Sequence, residues 1–168
     1  MIKNINKKNS GNTLIETLFY ISLFAVLSIV LIDVMIIMTK SFKETRIQGE
    51  LIQGSTILER ISRELRQADD FSYGSNILTV NTKDISNNSK TVTFTFANPN
   101  IQIVDSVLGN LGNLNTANIS VSGFVVSPIT TIKGKAANLS LSISSNNDST
   151  NRIENFYNTV VLRGDYQN

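Results

Sequence analysis

The apolar positions of this chain form three successive patterns, and the first is a long apolar run near the N-terminus. From Thr17 to Met38, 22 residues contain only Tyr20 and Asp33 as ionisable side chains. At about 1.5 Å per residue, a helix of that length measures about 33 Å, close to the roughly 30 Å thickness of a bilayer's hydrocarbon core. The run therefore predicts a transmembrane helix.

The second pattern is an amphipathic stripe in residues 39–70. Its apolar positions recur at steps of four and three residues, as one face of an α-helix requires, and charged residues such as Glu50 fall mostly on the other faces. No proline interrupts residues 12–70. We therefore predict one long helix whose second half packs on a sheet, with a coiled coil as the weaker alternative. Gly54 within the stripe predicts a close approach to a strand, and the stripe consists of Ile47, Leu51, Gly54, Leu58, Ile61, Leu65 and Ala68.

The third pattern begins at Phe71, where helical periodicity gives way to short alternating runs bounded by Asn, Ser and Gly. Five strands are predicted, over 77–81, 91–96, 118–126, 139–143 and 158–163. Strands that follow a helix without further helices between them indicate an α+β fold, with a long N-terminal helix packed on a C-terminal antiparallel sheet over 71–168. The stretch 108–115, LGNLGNLN, is predicted as a turn region. The stretch 144–151 is predicted as a solvated loop, in which Asp148 is only a weak hint of calcium.

The amino-acid composition argues against most kinds of enzyme active site. The chain has no His and no Cys, so it lacks the commonest general base, the commonest metal ligand and any thiolate nucleophile. The only adjacent carboxylates, Asp69 and Asp70, fall at a predicted helix end, where a solvated turn explains them. A net charge of +2 with scattered basic residues argues against a nucleic-acid surface. We predict no enzyme activity, no cofactor and no metal site.

The residues before the apolar run set its expected orientation. Lys3, Lys7 and Lys8 precede it without an acidic residue among them, which places the N-terminus in the cytoplasm by the positive-inside rule. A secretory signal peptide has a shorter apolar core and a cleavage site of small residues after it, whereas Lys40 and Lys43 follow here. The segment is therefore predicted to remain as a single-pass anchor in the cytoplasmic membrane.

A plain anchor does not explain Glu16, because a carboxylate at the edge of hydrocarbon is costly and Glu is too short to snorkel easily. Glu16 stands five residues after Gly11, behind the basic leader and ahead of the apolar run. This arrangement resembles the leader of type IV prepilins. The resemblance implies that a prepilin peptidase cuts between Gly11 and Asn12 and methylates the new N-terminus at Asn12. Residues 1–11 would then be the leader and residues 12–38 the transmembrane half of the helix, with Glu16 as the fifth mature residue.

The two acids of the span receive different interpretations. A free α-amine at Asn12 would be a cation one helical turn from a Glu16 carboxylate, close enough to be neutralised. The family resemblance implies that Glu16 pairs with the N-terminal amine of a neighbouring subunit and so sets the register of a filament. Asp33 lies five residues from the outer end of the run. It is predicted to reach the outer headgroup region, with a contact to another subunit as the alternative.

Two further stretches refine the resemblance. LERISRELRQADDF (58–71) and FYNTVVLRG (156–164) resemble the end of the first helix and the last strand of minor pilins and pseudopilins of the J/W class. Arg163 is expected to be a surface cation at the strand end. The resemblance implies a structural subunit of a type IV pilus or type II secretion pseudopilus. Its partners would be the prepilin peptidase, other pilins or pseudopilins, membrane lipid and an inner-membrane assembly platform. The alternative is an unprocessed, membrane-anchored binding module of the adhesin kind.

Overall fold

The computed structural model of the protein describes residues 12–132 and 134–163. The chain divides into two compact units, the first ending at Thr45 and the second beginning at Arg46. The predicted leader, residues 1–11, lies outside the described residues, as does Lys133.

The helical part of the chain is almost continuous. Helix α1 (Asn12–Leu51) makes up the described part of the first unit and supplies the first residues of the second, and helix α2 (Gln53–Gln67) follows. Ile52 between them keeps helical backbone angles, with φ −58° and ψ −24°. The predicted long N-terminal helix is therefore confirmed.

In the described residues of the second unit, eight strands follow the helices. They are β1 (Asp70–Gly74), β2 (Ile77–Lys83), β3 (Ser89–Ala97), β4 (Asn100–Asp105), β5 (Gly109–Asn113), β6 (Ile119–Thr131), β7 (Gly134–Ser145) and β8 (Ile153–Val161). They form one sheet of five strands in the order β1-β2-β3-β4-β5 and one of three in the order β6-β7-β8. Every neighbouring pair is antiparallel, so the α+β class is confirmed.

The predicted number of strands was wrong, because five were expected in one sheet, whereas the part of the chain that the structure describes has eight in two sheets. Each predicted strand lies on or overlaps an observed one, and β1, β4 and β5 were missed. Strand β5 lies within the stretch interpreted as a turn region. It has no alternation of apolar residues, and its glycines at 109 and 112 take positive φ angles of 80° and 91° on either side of a register shift that leaves Leu111 of β5 without a partner in β4. Such a strand pairs through its backbone and leaves no periodic signal in the sequence.

One hydrophobic core joins α2 to the inner faces of both sheets. The stripe predicted from the sequence supplies the helical side, since Leu58, Ile61 and Leu65 are at most 4% exposed. Helix α2 contacts β2 of the first sheet and β7 and β8 of the second. The stripe therefore packs on the chain's own sheets, as predicted, and does not form a coiled coil.

Gly54 lies where α2 comes closest to the three-stranded sheet. A Cβ built on Gly54 would fall on the ring of Phe156 and 2.8 Å from Ile143 Cδ1. Real Cβ atoms do not approach other carbon atoms so closely, and glycine is therefore required for this contact. The predicted close approach of Gly54 to a strand is confirmed.

We expect Gly54→Ala to destabilise the second unit, although alanine favours helix. The helix preference contributes at most about 1 kcal/mol, whereas overpacking a filled core costs about 1–3 kcal/mol. The free energy of unfolding should fall by about 1–2 kcal/mol. The measurement is denaturant unfolding of the full chain in detergent micelles, followed by circular dichroism.

Gly49→Ala is the matched control, because a Cβ there meets nothing within 4 Å and Gly49 lies in a helix as well. The same substitution should raise stability by up to about 1 kcal/mol at that position. Effects of the same sign at Gly49 and Gly54 would contradict the packing explanation.

Glu50 is buried, although the sequence suggested a polar helix face. Its carboxylate accepts hydrogen bonds from Ser145 Oγ at 2.5 Å, from Asn147 Nδ2 at 2.8 Å and from Arg46 Nε at 3.1 Å. The Ser145 hydrogen bond is the largest influence on the pKa of Glu50. Together with the bonds from Asn147 and Arg46, it holds that pKa below its ordinary value despite burial. Glu50 thus ties the end of α1 to the loop after β7.

Candidate functional site

The first candidate region is the apolar part of α1. Nearly all of its large apolar side chains are exposed in the single chain, from Leu14 and Ile15 to Met38. An 18-residue window of this helix has a mean hydropathy of 2.8, and none of that window is buried. The helix is therefore long and apolar enough to span a membrane, as predicted. Its side chains are available to lipid or to other apolar helices.

Three hydroxyl groups in and beside the apolar run of this helix bond to the helix's own backbone. Thr17 donates to the Thr13 carbonyl at 2.6 Å, Ser28 to the Phe24 carbonyl at 2.8 Å and Thr39 to the Met35 carbonyl at 2.8 Å. Side chains that bond back to the preceding turn leave no bare hydroxyl in an apolar environment. These polar residues are therefore compatible with a membrane span.

Glu16 has one partner on the helix, which sequence reasoning missed. The Tyr20 hydroxyl donates to Glu16 Oε1 at 3.1 Å, across one helical turn. Both side chains lie on the exposed surface of α1. The signal in the sequence was the spacing of four residues between them, which places two side chains on the same face of a helix.

Asp33 lies elsewhere on α1. It is exposed, and it makes no hydrogen bond or ion pair with any residue in the described part of the chain. Seventeen residues separate it from Glu16, which corresponds to about 25 Å along a helix and to about 100° around it. The structure therefore does not bring the two acids together, and they cannot act as one site within a chain.

The predicted processing site is only partly covered by the structure. Gly11 lies outside the described residues, and Asn12 is the first residue of α1. Cleavage after Gly11 and methylation of Asn12 stay predictions from the sequence.

The loop that carries Asp148 is held together by that residue. The side chain is buried, so the loop is not simply solvated as predicted. Asp148 accepts bonds from Arg152 Nε at 2.8 Å and from Thr150 Oγ1 at 2.7 Å and N at 2.9 Å. The Arg152 bond, followed by those from Thr150, strongly lowers the pKa of Asp148. Both oxygens are engaged by this loop, which explains the aspartate without a calcium ion. In the described part of the chain, no three or more Asp or Glu residues form a group that could hold a metal ion.

The two stretches singled out for their resemblance, 58–71 and 156–164, meet in the fold. Arg163 N donates to the Arg66 carbonyl at 3.0 Å, which joins the end of β8 to the end of α2. Arg163 is exposed, in agreement with its interpretation as a surface cation. Asp70 pairs with Lys135 at 2.9 Å, and this bond lowers the pKa of Asp70. That ion pair links β1 to β7.

No protein family model, no curated protein and no solved structure matches this chain. The combination of a long apolar N-terminal helix with a unit in which a helix packs on antiparallel sheets is compatible with a pilin-like architecture.

Proposed function

We propose that the protein is a minor pilin or pseudopilin. In this proposal it is a structural subunit that prepilin peptidase processes, and it joins or primes a type IV pilus-like or type II secretion fibre. The observation that carries the proposal is Glu16. It is a single carboxylate at the inner edge of an exposed apolar helix, five residues after a glycine that follows a basic leader. A lipid anchor has no use for this residue, whereas a fibre that must fix the register of its helices does.

The proposed mechanism is non-catalytic and follows from the apolar helix. Lys3, Lys7 and Lys8 hold the leader on the cytoplasmic side, and α1 keeps the uncleaved chain in the membrane. Cleavage between Gly11 and Asn12 creates an α-amine that the precursor lacks. The amine of one subunit then pairs with the Glu16 carboxylate of its neighbour as the apolar helices bundle. An ion pair within apolar packing is far stronger than one in water, and a misplaced subunit would leave both charges unpaired.

We expect co-expression with an active prepilin peptidase to remove residues 1–11. Edman sequencing or mass spectrometry of the purified chain should give Asn12 as the first residue. Methylation should add the mass of one methylene group to the N-terminal peptide. The reason is the resemblance of the Gly11-to-Glu16 segment to the prepilin leader.

The matched controls are a catalytically inactive peptidase and the Gly11→Val variant, both of which should leave Met1 in place. An intact Met1 with the active peptidase, under conditions in which a known prepilin is cut, would contradict the proposal. It would favour the unprocessed, membrane-anchored binding module. A cut beyond Met38 would instead indicate an ordinary signal peptide.

A further inference from the structure

The Glu16 side chain accepts one hydrogen bond from the residues that the structure describes. Its donor is the hydroxyl group of Tyr20, which carries no charge. Its hydroxyl oxygen lies 3.1 Å from Glu16 Oε1, whereas Oε2 makes no bond to any residue that the structure describes. A carboxylate has about four lone-pair sites on its two oxygens, so most of its accepting capacity stays open. The arrangement therefore engages one oxygen and leaves the other available.

The direction of helical side chains explains why Tyr20 can do this. Side chains on an α-helix lean towards its N-terminus, so the ring at position 20 covers the turn that carries Glu16. The neighbours of Tyr20 along the chain, Phe19 and Ile21, are apolar and exposed. Tyr20 thus lies on the membrane-core side of Glu16, and the opposite side of the carboxylate faces the N-terminal end of the helix.

Because Tyr20 is uncharged, its hydrogen bond does not neutralise Glu16 and does not compete with the amine of a second subunit. A lysine or arginine four residues away would neutralise Glu16 within its own chain and compete with any incoming amine. The nearest basic residue in the described part of the chain is Lys40, 24 residues further on, about 36 Å along the helix. A phenol hydroxyl reduces the cost of placing the carboxylate in an apolar medium and leaves its charge intact.

We propose that Tyr20 is a positioning residue for Glu16. It holds Oε1 and so presents Oε2 to a cation from a second subunit, the α-amine that Asn12 carries after cleavage. This inference rests on the proposed function, and what it adds is the role of the tyrosine. Before assembly, Tyr20 would hold one oxygen of the Glu16 carboxylate and leave the other open to the incoming amine.

The first test examines the hydrogen bond without any assembly. The full chain, labelled with ¹³C at the glutamate carboxyl groups, is placed in lipid vesicles, and the Glu16 band is isolated as the infrared difference from Glu16→Gln. Tyr20→Phe keeps the ring and removes the hydroxyl, and it should shift the carboxylate stretching band of Glu16. An unmoved band would overturn the proposal, whether or not the chain is a fibre subunit.

The second test measures how readily Glu16 of one subunit reacts with the Asn12 amine of another. Membranes that contain the cleaved chain are treated with a hydrophobic carbodiimide, which joins the Asn12 amine of one subunit to Glu16 of the next. Tyr20→Phe should lower the yield of cross-linked dimer by about three- to tenfold, the factor expected from losing one hydrogen bond. The double variant Tyr20→Phe/Phe24→Tyr returns the hydroxyl two turns from Glu16, out of its reach, and should be as poor as Tyr20→Phe.

The outcomes separate this inference from the function on which it rests. A normal yield in Tyr20→Phe, or rescue by the Phe24→Tyr change, would overturn the role of Tyr20 while leaving the fibre function standing. No dimer in the parent chain, with cleavage and insertion intact, would count against the pairing of Glu16 with an amine. The proposed role of Tyr20 in presenting Glu16 to that amine would then be overturned too, whatever the infrared result.

Discussion

Asn115→Ala is expected to lower the free energy of unfolding of the second unit by about 3 kcal/mol. Asn115 is buried between the two sheets, in the connection from β5 to β6. Its Oδ1 accepts from Ile101 N at 3.0 Å, and its Nδ2 donates to the Ile119 carbonyl at 2.9 Å and to Asn100 Oδ1 at 3.0 Å. One side chain thus satisfies backbone groups of β4 in one sheet and β6 in the other.

The size of this effect follows from the two buried backbone groups, Ile101 N–H and the Ile119 carbonyl, that lose their hydrogen-bond partner. Ile101 and Ile119 are at most 1% exposed, so water cannot replace the lost partner without opening the core. Each buried backbone group left without a partner costs about 1–3 kcal/mol, and two such groups are created. Since the chain has no Trp, unfolding of the full chain in micelles is followed by tyrosine fluorescence and circular dichroism.

Asn113→Ala is the matched control for Asn115, since it removes the same amide from an exposed position two residues earlier. Its effect should stay within about 0.5 kcal/mol. Asn115→Asp keeps the acceptor for Ile101 N and loses the donor to Ile119, so it should also be strongly destabilising at neutral pH. Equal, small effects at positions 113 and 115 would show that Asn115 does not join the sheets.

Helices were the part of the fold that the sequence predicted well. The apolar run and the stripe of α2 each repeat over many residues, and the burial of Leu58, Ile61 and Leu65 depends only on which face of the helix they occupy. Gly54 could also be interpreted from the sequence. Glycine destabilises a helix, so its presence inside an apolar stripe indicates a close contact that leaves no room for a side chain. These features depend on residues close together in the sequence, so the sequence alone was enough to predict them.

The misses arose where partners lie far apart in the sequence. Glu50 is separated by 95 residues from Ser145 and by 97 from Asn147, so its burial depends on where β7 ends relative to the helix. Asn115 looked like one more turn residue in LGNLGNLN, because its role is set by the meeting of two sheets. Tyr20 is different: its spacing from Glu16 was visible, but an aromatic residue in an apolar run is ordinarily interpreted as membrane-facing surface.

If the proposed function holds, Glu16→Ala is expected to leave the proposed cleavage before Asn12 and membrane insertion unchanged, and to lower incorporation into the proposed fibre at least about 100-fold. Cleavage depends on the leader, and insertion depends on the apolar length of α1, which the substitution does not shorten. In the proposed fibre, incorporation depends on the pair of Glu16 and the Asn12 amine, because removing the carboxylate would leave the amine of the next subunit uncompensated among apolar helices. That loss costs about 3–5 kcal/mol, which is a factor of 100 or more in an equilibrium. The measurement compares immunoblots of sheared fibres and of membranes from cells that assemble the fibre.

Two controls accompany this experiment. Glu16→Gln tests whether the charge of Glu16 is needed, and Asp33→Ala tests whether the other acid of the span is. Glutamine keeps an oxygen that can accept the Tyr20 hydroxyl but cannot neutralise an amine, so it should fail like alanine. Asp33→Ala removes the other acid of the span and should be incorporated within about twofold of the parent chain if Asp33 reaches the headgroups. Normal incorporation of Glu16→Ala would remove its docking role. Loss of incorporation in Asp33→Ala would instead make Asp33 a subunit contact, on a face of α1 about 100° from that of Glu16.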